Sequence, residues 1–134
     1  MQWKRRNYLI SDSKKKLDVD FIHRSLRTSY WAQNRTKRTV KKTIENSLYF
    51  GVYTKGQQIG FCRAVTDYCT FTWVADVFID PAFRGKGLGV WMMKCFVKHP
   101  KIKNTMHMLG TKDAHKLYEK VGFFRKEAMI KRPG

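Results

Sequence analysis

Residues Asp80 to Gly89, read as DPAFRGKGLG, do most to limit what this chain can fold into. Ahead of them, Phe71 to Ile79 is rich in aromatic and β-branched residues and reads as a strand. Behind them, Leu88, Trp91, Met92, Cys95, Phe96 and His99 recur at i, i+3, i+4, i+7, i+8 and i+11. That spacing is one face of a helix running to about Lys98 and stopped by Pro100. The segment is therefore a glycine-rich, basic turn between a strand and a helix. Gly85, Gly87 and Gly89 let the backbone approach a ligand closely. The first N–H groups of the following helix have no internal acceptor and carry partial positive charge. Such a turn is an anion cradle suited to phosphates, and Arg84 and Lys86 add fixed charge. It is not a Walker A loop, because no Lys-Ser or Lys-Thr ends it, and its G-x-G-x-G glycines differ from GxGxxG. An ordinary glycine-rich connection is the alternative on this loop alone.

The rest of the chain supplies one sheet around that crossover. Tyr8 to Ser11 is a short strand candidate, Asp18 to Thr28 a first helix carrying Val19, Ile22, His23 and Leu26, and Thr36 to Asn46 a second with Val40 and Ile44. Leu48 to Tyr53, Ile59 to Thr66 and Phe71 to Ile79 form an antiparallel meander, with turns at Gly56 and Thr66-Asp67. Met106 to Gly110 is a short strand. Asp113 is a candidate N-cap for a helix striped by Ala114, Leu117, Tyr118 and Val121, and Gly122 follows as its C′ glycine. A last strand is expected from Phe123 onward, particularly in Glu127 to Ile130, and the short polar tail after Ile130 is expected to fray. The order is β-α-α-β-β-β-α-β-α-β, a mixed α/β (α+β type) fold with one twisted mixed sheet and helices on both faces. The 134 residues are expected to form a single domain, 1–134, with its motif-bearing core at 71–124.

Charge and cysteine content narrow the partners. Lys and Arg total 28 against 10 Asp and Glu, a net charge of +18. A field of that sign favours anionic partners and repels polycations. The clusters Lys4-Arg5-Arg6, Lys14-Lys15-Lys16 and Arg35 to Lys42 read as solvated faces. Cys62, Cys69 and Cys95 are odd in number with no CxxC pair, so free thiols in strands or a helix and a reducing compartment are expected. Met1 to Ile10 has no apolar stretch like that of a signal peptide, and no run approaches a membrane span. The expected location is cytoplasmic. His23, His99, His107 and His115 show no metal-ligand spacing with the cysteines, so no metal site is expected.

Two motifs then carry a family resemblance. Val77-x-Ile79-x-Pro81-x-x-Arg84-Gly85-x-Gly87-x-Gly89 resembles the acetyl-CoA motif of GNAT N-acetyltransferases, and Ala114-x-x-Leu117-Tyr118-Glu119-Lys120-x-Gly122-Phe123 resembles a second segment of that family. The resemblance implies acetyl-CoA as cofactor, with no metal. It implies that the backbone of Val77, Phe78 and Ile79 pairs with the pantetheine arm and polarises the thioester carbonyl. It implies that Arg84, Gly85, Lys86, Gly87, Leu88 and Gly89 hold the pyrophosphate, with Thr111 and Ala114 beside the cofactor. Tyr118 becomes the general acid that protonates the departing thiolate, with a core tyrosine as the alternative role. Two positions depart from the family. Thr111 stands where Asn is frequent, keeping a hydroxyl and losing the amide. Trp73 stands where some relatives have glutamate, which leaves the general base unassigned and Asp76 as the nearest acid on that strand.

Without G-x-S-x-G or a Cys-His signature, direct transfer through a ternary complex is expected. The acceptor implied is the primary amine of a small molecule or peptide, neutral or anionic by the charge argument. Tyr30, Trp31 and Asp76 are the candidate substrate contacts, with a core-capping role for the two aromatics as the alternative. The chain is expected to be a monomer or homodimer that binds neither membrane nor nucleic acid. A cofactor-binding sensor without catalysis and a basic nucleic-acid-binding module remain as alternative functions.

Overall fold

Six strands pair in sequential order in one sheet, and the computed structural model describes all 134 residues. Strands β1 (Gln2–Arg5), β2 (Tyr8–Ser11), β3 (Leu48–Thr54), β4 (Gln57–Thr66) and β5 (Phe71–Ile79) are antiparallel neighbours. Between β2 and β3 lie helices α1 (Val19–Arg27) and α2 (Lys37–Asn46). Helix α3 (Leu88–Lys98) carries the chain back across the sheet, so β6 (Met106–Met108) lies parallel to β5. Helix α4 (His115–Glu119) follows.

Local chemistry accounts for most boundaries. Asp18 caps α1 by accepting the Phe21 N–H, and Thr36 caps α2 by accepting the Thr39 N–H. Lys55 and Gly56 both take positive φ, 50° and 75°, which matches the twist of the β3–β4 hairpin. At the β4–β5 turn, the Asp67 carboxylate accepts the N–H groups of Cys69, Thr70 and Phe71 and the Thr70 hydroxyl, which together hold its pKa well below the usual carboxylate range.

The sheet separates two cores. Leu48, Phe50 and Val52 of β3 join Met92, Met93 and Phe96 of α3 on one face, while Tyr49 turns to the other face with Ile22, Leu26 and Val40 of α1 and α2. Burial on both faces explains why β3 lacks a polar alternation. Phe50 is wholly excluded from water, stacks with Trp3 and meets Phe96. Burial of one such side chain is worth roughly 1.5–3 kcal/mol.

Four expectations are corrected. Gln2–Arg5, not expected as an element, is a strand paired with Tyr8–Ser11 and anchored by Trp3 on Phe50, while Lys4, Arg5 and Arg6 are exposed as expected. The expected strand at Glu127 to Ile130 does not form: residues after Phe123 have no regular structure, and Met129 and Ile130 are exposed. A strand exists only by pairing, and this segment pairs with nothing. Cys69 lies exposed in the Asp67 turn, whereas Cys62 and Cys95 are buried; all three are free. Ala114, not Asp113, occupies the N-cap of α4, and its N–H is taken by the Thr111 hydroxyl at 3.0 Å.

Candidate active site

The site begins where β5 loses its second neighbour. Strand β6 pairs only with Phe71, Thr72 and Trp73, so β5 beyond Trp73 has β4 on one side and an open edge on the other. Between Phe61 and Arg63 the β4–β5 register slips: Phe61 faces Phe78 and Arg63 faces Ala75, leaving Asp76 and Val77 opposite Cys62. Asp76 absorbs the extra residue with φ of +53°. The Asp80 N–H donates to the Ile59 carbonyl, so strand alternation turns the amides of Phe78 toward β4 and those of Val77 and Ile79 toward the open side. Gly60 permits this close pairing. A Cβ at Gly60 would lie 2.9 Å from the Phe78 carbonyl oxygen and 2.7 Å from the Ile79 Cδ1.

Past Ile79, the chain makes a 3-10 turn at Pro81–Phe83, and Arg84 Nε donates back to the Ile79 carbonyl at 2.8 Å. Gly85 and Gly87 have φ of +80° and +78°, with open space where their side chains would lie. Gly87 is the N-cap of α3, whose first bond runs from Trp91 N–H to Gly87 C=O. The N–H groups from Gly85 to Val90 have no backbone acceptor, so an unbroken run of donors opens at the helix start. Gly89 serves packing: a Cβ there would stand 3.3 Å from Leu117 Cδ1, so its absence lets α4 close on α3.

Helix α4 presents Tyr118. Its ring is buried in the core with Leu88 and Cys62 and meets Phe123 edge-on, as the core alternative required. Its hydroxyl, however, bonds to no protein group and is not sealed from solvent. Burial raises the phenol pKa above its ordinary value, and nearby Cys62, Tyr30 and Asp113 add to the shift. Tyr118 thus has its ring in the core and its polar end free of any protein partner and open to solvent.

The α1–α2 loop forms the opposite wall. Trp31 and Tyr30 are half-exposed and pack edge-to-face, with Lys112 Nζ 5.5 Å from the Tyr30 ring centroid. Asp76 is a structural anchor here. Its carboxylate is 2% exposed and accepts from Trp31 Nε1 at 2.9 Å, Arg35 at 2.6 Å and Arg63 Nε at 2.6 Å. That arrangement leaves it no free role as substrate contact or base. It also corrects Arg35, which is an ion-pair partner and not part of a solvated face. No local pattern announces this cluster, because its members are far apart in the chain. The structure brings Val77, Ile79, Leu88, Ala114 and Tyr118 together around α3 and α4, with the Arg84–Gly87 loop leading into α3 and Thr111 bonded to Ala114. Phe78, expected with them, instead faces β4 with its amide and packs its ring against Phe21 and Phe61. No group of three or more His, Cys, Asp or Glu side chains could hold a metal.

Comparison with known proteins gives the same architecture a family. Residues 45–125 match the acetyltransferase (GNAT) domain. A crystal structure of a GNAT-family acetyltransferase from Xanthomonas campestris pv. campestris superposes with a TM-score of 0.89 at 32% identity, covering 95% of this chain and 93% of that one. An acetyltransferase-family protein of Gibberella zeae is 30% identical across 69% of this chain, and the N-acetyltransferase ycf52 of Gracilaria tenuistipitata var. liui is 31% identical across 69%. The alignments span 63% and 54% of those two relatives' own lengths. The chain belongs to the GNAT acetyltransferase family.

Proposed function

We propose that this chain, acting as one domain, is an N-acetyltransferase that takes acetyl-CoA along the open edge of β5 and passes the acetyl group directly to the primary amine of a small molecule or peptide. The observation that carries the reading is the run of donor amides from Gly85 to Val90, set beside an unpaired strand edge and a free tyrosine hydroxyl. The donors fit a diphosphate, and Arg84 and Lys86 supply countercharge. The Val77 and Ile79 amides can add an extended amide-bearing arm to the sheet. When bound, acetyl-CoA supplies an activated acetyl thioester. The chain's own part is to hold that group against β5, to place a β5 N–H where negative charge develops on the acyl oxygen, and to keep a proton on Tyr118 Oη for the departing sulfur. A distant structural neighbour from Clostridium acetobutylicum, at 14% identity, was solved with acetyl-CoA, and the free cysteines suit the reducing cytoplasm.

Titration calorimetry with acetyl-CoA tests the reading. The protein should bind it, and Gly87→Leu should weaken binding at least about tenfold, because a left-handed leucine is strained by roughly 1–2 kcal/mol and its side chain enters the donor run. A Gly87→Leu variant that folds and binds within about twofold of wild type would remove the cradle. A second reading, a sensor that binds acetyl-CoA without turnover, is favoured by one observation: Trp73 stands where some relatives have glutamate, and the nearest acid on that strand, Asp76, is fully engaged. Thiol release from acetyl-CoA with a panel of primary amines separates the two.

A further inference from the structure

The cleft walled by the α1–α2 loop, next to the proposed acetyl site through Tyr30, holds more positive than negative charge. Its lining includes Tyr30, Trp31, Gln33, Asn34, Arg35 and Thr36. Two guanidiniums, Arg35 and Arg63, share one carboxylate, and both bond the same oxygen of Asp76. The side chains are 20% and 14% exposed, so a net charge of +1 sits half-withdrawn from water. Such a charge is costly unless an anion or ordered water answers it. Lys112 lies over the ring of Tyr30, which lines this cleft.

The start of α2 points the same way. Thr36, its N-cap, lines the cleft, and Thr36 Oγ1 and C=O satisfy the Thr39 and Val40 N–H groups, which leaves those of Lys37 and Arg38 without acceptors. No acid lies in this first turn; Lys37 and Arg38 do, although Lys37 also reaches Asp20 of α1. Cations at a helix N-terminus oppose the helix dipole. A sequence that puts them there, next to a guanidinium pair with surplus charge, is locally unfavourable unless an anion binds. Two acids meet the cluster: Asp76, committed to Trp31, Arg35 and Arg63, and Asp20 of α1, which pairs with Lys37; neither answers the second guanidinium of the Arg35–Arg63 pair.

We propose that Arg35, with the N-terminus of α2 and with Lys112 beside Tyr30, forms a subsite for an oxyanion on the acceptor, so that the substrate is an amine bearing a carboxylate or phosphate group. The inference rests on the acetyltransferase reading. It adds to that reading both a substrate class and a specificity-determining residue. Asp76 then has a second duty: it fixes Arg35 while absorbing the extra residue of the β5 bulge just before Val77.

The test uses the protein saturated with coenzyme A, so that added anions cannot occupy the amide run at the start of α3. Inorganic phosphate should then raise Tm in wild type and have no such effect in Arg35→Gln, while Arg35→Lys, which keeps the charge, should retain most of the response. In turnover assays with matched pairs, O-phosphoethanolamine against ethanolamine and γ-aminobutyrate against 4-aminobutanamide, the anionic member of at least one pair should be favoured about tenfold in kcat/KM. The preference should appear in KM, collapse in Arg35→Gln and return in Arg35→Lys. The phosphate and carboxylate pairs separate the two sources of the oxyanion. Equal use of charged and neutral members, better use of a polyamine, or a phosphate response that survives Arg35→Gln would each overturn the subsite. A protein that binds no coenzyme A would instead overturn the acetyltransferase reading beneath it.

Discussion

Tyr118→Phe should lower kcat about a hundredfold while leaving the Kd for acetyl-CoA unchanged. The ring sits in the core and the substitution keeps its shape, so the fold and the cleft survive. Only the hydroxyl is lost, and that hydroxyl has no structural partner. General acids contribute roughly 10²–10⁴-fold in most enzymes. Burial sets the value here toward the lower end, because a phenol held above its ordinary pKa is a weaker acid. The raised pKa also keeps Tyr118 protonated as pH climbs through about 10, so kcat should show no falling limb from this group below that point. Stopped-flow measurement of thiol release reads both effects. Equal single-turnover rates in wild type and the Tyr118→Phe variant would take the proton-donor role away from Tyr118.

Asp76→Ala should be the most damaging single change to stability. It leaves two guanidiniums and an indole N–H facing a void where a carboxylate stood. Removing one member of a buried ion cluster costs about 3–5 kcal/mol, since the surviving charges stay desolvated. For a chain of this length that corresponds to a fall in Tm of roughly 10–20 °C. Alanine also fits badly at φ of +53°, a region that asparagine tolerates. Asp76→Asn should therefore fall between the two. An Asp76→Ala variant that unfolds within about 2 °C of wild type would show that the cluster contributes nothing.

What could be read from the sequence followed the range of the signals. The Phe71–Ile79 strand, the turn at Gly56 and the helix from Leu88 to Lys98 are written in local periodicity and in one or two turn residues, and they appear as expected. The Gly85 and Gly87 backbone conformations follow from composition as well. Interactions between distant segments were hidden. Asp76 meets Trp31 and Arg35 across 45 and 41 positions, so nothing near Asp76 betrays that its charge is spent. Trp3 in β1 was masked by its basic neighbours, and the apolar residues before Ile130 suggested a strand for which the sheet has no available partner. Such pairings depend on which edges a fold leaves open, and a single strand does not encode that.

The parting of β5 from β6 leaves backbone donors and acceptors that any stray extended peptide could zip onto, the hazard that barrels avoid by closing. Around this seam stand Arg84, Lys86 and Lys112, all exposed and all of one sign. They act as gatekeepers: two copies of the chain meeting seam to seam would bring like charges together. Part of the protein's large positive charge thus guards an unfinished sheet against its own kind.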